Sequence, residues 1–162
     1  MKEYVKAVLY AYPLLKNVNK DYGEYIRNKA LLSYRNFSPT VEIATEIARQ
    51  IVERDNLLWL QGRLELLLAT LSEEERALLN ARYFTKEKQP FAESADGLDK
   101  SGRKYFRLQN RVGEKAEKLL EKLGVSETVF DELFASIDLF ERIRRFVQRG
   151  AGEKRKRKKQ PR

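Results

Sequence analysis

The sequence contains neither cysteine nor histidine, and the two absences exclude several kinds of chemistry. Without cysteine the chain forms no disulfide bond and offers no thiolate, which fits a reducing cytoplasm. Without histidine it lacks the commonest general base and the commonest metal ligand, which excludes a Ser-His-Asp triad, a Cys-His pair and a Cys/His zinc site. No glycine-rich phosphate loop of either common pattern occurs. We therefore expect a protein that is not an enzyme and that binds no metal or cofactor.

Long apolar runs are missing as well. No apolar stretch approaches the ~20 residues that are needed to span a bilayer. The first residues, "MKEYVKAVLYAYPLL", include an acid and several tyrosines and lack a small-residue cleavage site, unlike a signal peptide. Glycine and proline are scarce, at 8 and 4 of 162 residues, while 42% of residues are apolar and 35% are charged. This composition favours a cytoplasmic helical protein with a core and no membrane partner.

Acidic residues are almost absent from the C-terminal end. Residues 142–162 hold 11 Lys or Arg and one acid, a net charge of +10, whereas residues 1–141 hold 22 basic and 23 acidic residues, or −1. We call residues 150–162 the basic tail, and we expect its run of like charge to be disordered. Six of its side chains are candidate phosphate contacts, since cations that displace counterions add sequence-independent affinity. They are Lys154, Arg155, Lys156, Arg157, Lys158 and Lys159.

Apolar residues recur at helical spacing over most of the chain, and no stretch has the alternation of a strand. We predict an all-α fold in four parts: an N-terminal helical bundle in residues 1–70, a helix-turn-helix-like region in 71–124, a C-terminal helix in 125–149, and the basic tail. In the first part, Pro13 is expected to kink or end a helix. A second helix follows, and Gly62 weakens a long Ile- and Leu-rich run that forms one helix or two. In the second helix, the side chains expected to face inward are Tyr22, Tyr25, Ile26, Ala30, and Leu31 or Leu32.

Boundary signals divide the rest of the chain. Ser72 and Glu75 have the spacing of a capping box, Gly124 is placed to stop a helix, and Ser126 is placed to cap the last one. Residues 85–98 are the least regular part, and Pro90 and Gly97 bracket a segment of at most two helical turns within them.

The helix predicted for residues 99–123 has a strongly divided surface. At about 100° per residue, one arc is apolar: Tyr105, Leu108, Val112, Ala116, Leu119 and Leu123. The opposite arc is charged or polar: Arg103, Arg107, Asn110, Arg111, Glu114 and Lys118. Five basic residues and no acid lie between Lys100 and Val112, and glutamates begin only after Gly113. A solvated surface helix often has a charged face of this kind, but here the positive charge is concentrated in the first half.

Two segments resemble a known DNA-binding domain. "LSEEERALLNARYF", residues 71–84, is similar to the first helix of the C-terminal domain of bacterial RNA polymerase sigma factors. "LDKSGRKYFRLQNRVGEKAEKLL", residues 98–120, resembles that domain's recognition helix, and resembles more closely the related helix of ArpU-type phage transcription regulators. The resemblance, taken from about residue 71 to 123, covers about 50 of the 162 residues. The family's middle helix carries a Glu-x-Ile-Ala pattern, whereas this chain has "PFAESADGL".

The resemblance implies a transcription regulator that binds double-stranded DNA through a helix-turn-helix. The N-terminal part of a recognition helix enters the major groove, and Arg and Asn suit bidentate contacts with guanine and adenine edges. The candidate DNA-binding residues are Lys100, Ser101, Arg103, Lys104, Arg107, Asn110 and Arg111. Ser101 would cap the helix and could contact a phosphate.

Several alternatives stay open at the level of sequence. The sigma-like helices could instead dock on RNA polymerase or another protein, and a polybasic tail does not distinguish DNA from RNA. The long Ile/Leu run could pair with itself in a homodimer, which would suit a palindromic site. Six tyrosines could form a stacking platform for bases, although aromatics at helical spacing are more typical of a core. They are Tyr4, Tyr10, Tyr12, Tyr22, Tyr25 and Tyr34.

Overall fold

The structure is a computed structural model, and it describes residues 1–35, 41–85 and 103–158, with side chains described up to residue 149. These residues form six helices and one π-helical turn, with no strand among them, which confirms the all-α prediction for this part of the chain. The helices are α1 (Glu3–Arg35), α2 (Val41–Ala69), α3 (Glu73–Leu79), α4 (Arg103–Lys122), α5 (Glu127–Leu133) and α6 (Asp138–Lys158), and the π-helical turn is Asn80–Phe84.

Helix α1 runs without interruption through Pro13, so of the two outcomes expected at this proline, a kink or an end, the end does not occur, and the two helices predicted for this region are one. Pro13 lies on the exposed side of the helix. Buried side chains before and after it, Leu9 and Leu15 among them, pack into the core. Tertiary packing on both sides of a proline holds one helix together although one backbone hydrogen bond is missing.

Helix α2 is also a single helix, and Gly62 lies within it. It runs antiparallel to α1: Asn19 Nδ2 donates a hydrogen bond to Gln61 Oε1 at 3.1 Å, and further along the pair Tyr22 Oη donates one to Glu53 Oε2 at 2.9 Å. The buried side chains of α2 are Leu57, Leu60, Leu64 and Leu67, all in its second half. Helices α1 and α2 thus form a hairpin. Its proximal half, residues 3–19 of α1 and 57–69 of α2, contributes buried side chains to the core. Its distal half, residues 20–35 and 41–56, extends beyond the core.

The distal half of the hairpin corrects the predicted burial of the second N-terminal helix. Of the side chains expected to face inward, Tyr22 and Ile26 are half-buried, whereas Tyr25, Ala30, Leu31 and Leu32 are exposed. The helical pattern is as expected, but these side chains contact α2 without being buried by it: Tyr22 donates a hydrogen bond to Glu53, and Tyr25 lies beside Gln50 and stays 48% exposed.

Helix α3 begins at the predicted capping box. The side-chain oxygen of Ser72 accepts a hydrogen bond from the Glu75 amide, and the Glu75 carboxylate accepts one from the Ser72 amide. The following π-helical turn closes with a bond from the Thr85 amide to the Asn80 carbonyl at 3.0 Å. It turns Tyr83 toward α1, where its ring lies 4.8 Å from the ring of Tyr10.

The predicted single C-terminal helix is two helices, α5 and α6, separated by residues 134–137. Ser126 caps α5 as expected, since its hydroxyl accepts a hydrogen bond from the Val129 amide. The break lets three buried rings meet, with Phe130 5.2 Å from Phe140 and Phe134 5.7 Å from Phe140. One straight helix could not bring these three rings together, so aromatic packing outweighs helical continuity here.

The last helix is longer than the sequence predicts. Its backbone continues to Lys158, past the expected end before Gly150. Glycine lowers helix propensity without forbidding a helix, Lys and Arg are good helix formers, and basic side chains are favourable near a helix C-terminus. The remaining residues of the basic tail, 159–162, lie outside the described part of the chain, as do the side chains of residues 150–158.

One core joins all six helices. It contains side chains from the proximal hairpin, from α3 and the π-helical turn, from α4, and from the phenylalanines of α5 and α6. Tyr4 is buried in it, and Tyr10, Tyr12 and Tyr22 pack partly against it, so four of the six tyrosines of the N-terminal region belong to the fold rather than to an open stacking surface. Among the described helices, none combines the length and the apolar character that a membrane crossing requires.

Candidate nucleic-acid interface

Helix α4 is anchored by one face and leaves the other open. Leu108, Val112, Ala116 and Leu120 are buried, while Tyr105, Leu119 and Leu123 pack partly against the core. The predicted apolar stripe is thus confirmed, apart from Leu120 taking the fully buried place expected for Leu119. Burial of every helical turn fixes the orientation of the helix, so the side chains opposite the core have a defined direction.

The polar residues predicted to face outward do so. Five candidate DNA-binding side chains are exposed: Arg103, Lys104, Arg107, Asn110 and Arg111. Arg103, Arg107 and Asn110 follow at spacings of four and three, which places them in one row along the outward face. The other two candidates of this group, Lys100 and Ser101, lie outside the described residues, as do residues 90–97 of the predicted middle helix.

Two ion pairs fasten α4 to α3. Lys115 Nζ lies 2.6 Å from Glu75 Oε2, and Arg111 lies 3.9 Å from the carboxylate of Glu74. Burial alone would raise the pKa of Glu75, but the hydrogen bonds from Lys115 and the Ser72 amide, with the positive charges of Lys115 and Arg111, outweigh it and hold that pKa below its ordinary value. The capping carboxylate of α3 is therefore ionised and also positions α4.

The beginning of α1 holds the second half of α4. Gly113 lies against Met1, and a Cβ added to Gly113 would come within 3.3 Å of the Met1 Cβ. The absence of a side chain at Gly113 thus lets Met1 pack closely against α4. Lys2 Nζ lies 3.5 Å from carboxylate oxygens of both Glu117 and Glu121. These acids of α4 thereby face a partner within the protein, and the basic first half of the helix carries the local positive charge.

A cleft beside the outward face contains two basic residues that the sequence did not single out. It has a volume of about 240 Å³ and is lined by residues from α1, the π-helical turn and α4, with Lys6, Arg82 and Asn110 among them. Lys6 and Arg82 are 76 positions apart in the sequence, so no local pattern could have joined them. The π-helical turn brings Arg82 to this place, and such turns are frequent at functional sites.

An aromatic side chain also lies beside this face. Phe106 is 55% exposed, on the same two turns as Arg103 and Arg107, and its ring lies 5.6 Å from that of Tyr105. An apolar side chain next to Arg and Asn is suited to contact the methyl group of thymine in the major groove. Phe106 belongs to neither of the two arcs predicted for this helix, so the sequence pattern did not single it out.

The described residues offer no alternative metal chemistry. Among them, no three His, Cys, Asp or Glu side chains are grouped so that they could hold a metal ion. Comparison of the chain with models of protein families, with curated proteins and with solved structures finds no match. The geometry and charge of the α4 face are therefore the observations from which a function can be inferred.

Proposed function

We propose that the protein is a DNA-binding transcription regulator that inserts the first half of α4 into the major groove of double-stranded DNA. The observation that carries the proposal is the exposed row of Arg103, Arg107 and Asn110 on a helix whose opposite face is fully anchored. An anchored helix presents its side chains without further ordering, which reduces the entropy lost on binding.

The distribution of charge along α4 limits its proposed contact with DNA to the first two or three turns of the helix. Lys104 and Arg111 extend the basic row on one side, while Glu114 on the same outward face repels phosphate at the third turn. Helix-turn-helix proteins contact base edges mainly with the N-terminal part of the recognition helix. The charge of the outward face changes from positive to negative along α4. The positive part is therefore at the N-terminal end, which is the end that this docking mode places in the groove.

Phosphate contacts would come from both sides of the inserted helix. Lys6 and Arg82 line the cleft on one side, with Glu114 at its α4 edge, and Arg111 lies toward α3 on the other. A helix in the major groove is flanked by two phosphate backbones, and contacts to these fix its register without discriminating sequence. The basic tail would add further sequence-independent affinity through counterion release.

Selection from a pool of random duplexes tests the proposal directly. The full chain is incubated with the pool at near-physiological salt, bound duplexes are recovered over several rounds, and the enriched motif is resynthesised for fluorescence-anisotropy titrations. We expect a short enriched motif that binds at least about 1,000-fold more tightly than unrelated duplex, the lower range for specific complexes.

Two controls make the selection decisive. Competition with single- and double-stranded RNA should leave the complex with the enriched duplex intact, whereas displacement at equal concentration would favour an RNA-binding function. Recovery of duplexes with no common motif would contradict base recognition, and would leave docking on a protein partner as the function of the α4 face.

A further inference from the structure

The distal half of α2 has a second apolar face that the protein does not bury within its described residues. Its first face looks toward α1. The second consists of Val41, Ala44, Ala48, Ile51 and Val52, all of which are exposed, with Val41 at 82% and Val52 at 58%. We call these five residues the α2 strip. Their spacings of three, four, three and one place them on a single side of the helix.

The α2 strip continues into an open groove at its proximal end. The groove has a volume of about 490 Å³ and a mixed lining: Ala48 and Val52 of α2 and Leu133 of α5 are apolar, and the other lining residues are polar or charged, with Arg49, Glu53 and Glu132 among them. Leu133 is exposed as well. The α2 strip therefore has a further exposed apolar side chain near this end, and grouped exposed apolar residues mark an interaction surface more often than single scattered ones do.

We infer that the α2 strip pairs with the α2 strip of a second copy of this chain, in an antiparallel contact about a two-fold axis at Ala48. In this register Val52 of one copy faces Ala44 of the other, Ile51 faces Thr45, and Ala48 faces Ala48. Large side chains thus oppose small ones along the contact, and alanine on the axis permits the short end of the 8–10 Å range of helix separations.

The charge on the α2 strip also fits a second copy. Asp55 is exposed and lies on the same side of α2, one turn beyond Val52. In the antiparallel register it faces Val41 of the other copy, which is the first residue of that α2. A carboxylate beside a helix N-terminus is favoured by the helix dipole, and the two-fold axis forms this contact twice. An unrelated apolar partner would leave Asp55 without such a position.

The inference does not depend on DNA binding, and the mass of the protein in solution tests it. Sedimentation velocity and light scattering on the full chain at increasing concentration should show a species of about 38 kDa, twice the 19.1 kDa of the chain. Ala48→Glu places two carboxylates on the axis and should weaken dimerisation by roughly 100-fold or more. Leu66→Glu is the matched control, because Leu66 is equally part of α2 and exposed, but about 27 Å from Ala48 along the helix.

The register has its own test, since the chain has no cysteine of its own. Under mild oxidation Ala48→Cys should form a reducible covalent dimer, because residues on the axis of closely packed helices come within disulfide distance. Leu66→Cys should form no covalent dimer under the same conditions. Circular dichroism establishes that all variants keep their helix content, which is expected at exposed positions. A monomeric wild type at every concentration, a dimer insensitive to Ala48→Glu, or equal cross-linking of the two cysteine variants would overturn the inference.

Discussion

Lys115 on α4 donates a hydrogen bond of 2.6 Å to the Glu75 carboxylate, the same carboxylate that completes the capping box of α3. Glu75 is 5% exposed, yet it is ionised because the Ser72 amide and Lys115 both donate to it. A single side chain thus stabilises the start of one helix and the orientation of the next. The position of the candidate DNA-contacting face depends on this pair.

We predict that Glu75→Gln lowers the free energy of unfolding by about 1–2 kcal/mol at neutral pH, because it weakens a cap and leaves Lys115 without its ionic partner. The pKa of Glu75 in the folded protein is below the ordinary 4.5, so its ionisation stabilises the fold above that pH and the contribution is lost as the pH falls through the folded pKa. Urea unfolding should therefore show wild type and variant converging in acid.

Glu74→Gln is the control for that measurement, because Glu74 is exposed and its contact with Arg111 is long, at 3.9 Å. This change should have little effect on stability. Equal destabilisation by the two variants at neutral pH would show that the buried pair has no special role.

Two glycine variants should change stability in opposite directions. An added Cβ at Gly62, inside α2, meets no atom within 4 Å, so Gly62→Ala should stabilise the protein by ~0.5–1 kcal/mol through higher helix propensity. Gly124 has φ +87°, which an L side chain rarely adopts, so Gly124→Ala should destabilise it by about 1 kcal/mol. Thermal unfolding followed by circular dichroism measures both, and shifts of the same sign would contradict the assigned backbone roles.

Alkaline pH should unfold the protein through its tyrosines. Burial raises the pKa of Tyr4, Tyr12 and Tyr83 above the ordinary 10.0, and burial with a hydrogen bond to Glu53 raises that of Tyr22. Since the unfolded chain loses these protons first, stability is retained below pH 10 and is lost as the pH rises through the folded pKa values. Tyrosinate absorbance should increase together with the loss of helical circular dichroism. A separate, earlier absorbance change for all the tyrosines would contradict their burial.

In the candidate interface, Arg107→Ala or Asn110→Ala should weaken binding to the selected duplex by about 1–3 kcal/mol and relax the preference at one base pair. Lys118→Ala is the matched control, because Lys118 is exposed on the same outward face but beyond the basic half of α4. Anisotropy titrations on the selected and on unrelated duplex separate the effects. An equal loss on both duplexes would show phosphate contact instead of base contact.

Deletion of residues 151–162 should weaken binding to every duplex alike. Each phosphate contact that is lost reduces the dependence of log Kd on log salt by roughly 0.9, and the deleted segment carries seven basic residues. Titrations at several salt concentrations measure this slope. A deletion that changed sequence preference and left the slope intact would place the tail in base recognition.

Local signals predicted the parts of the fold that local interactions determine. The capping box at Ser72 and Glu75, the stop at Gly124 and the two faces of α4 all follow from residue types at fixed short spacings. The exposure of Arg107 and Asn110 could be predicted for the same reason, because a helix that buries one stripe must expose the opposite one.

Features that depend on distant residues could not be predicted from the sequence. Pro13 lies within α1 because packing on both sides of it outweighs the missing bond, and the break before α6 exists because Phe140 packs against Phe130. The cleft with Lys6 and Arg82 needs three separate elements. Rules based on the spacing of residues along the chain do not predict such contacts between distant residues.

The continuity of α1 gives one helix two different local stabilities. Its last buried residue is Asn19, and the 16 residues that follow, to Arg35, contribute no fully buried side chain. Opening this distal half would cost little apolar burial, whereas opening the proximal half would break the core. Amide exchange along α1 should thus divide sharply near Asn19. We therefore expect the hairpin tip to open without unfolding of α4.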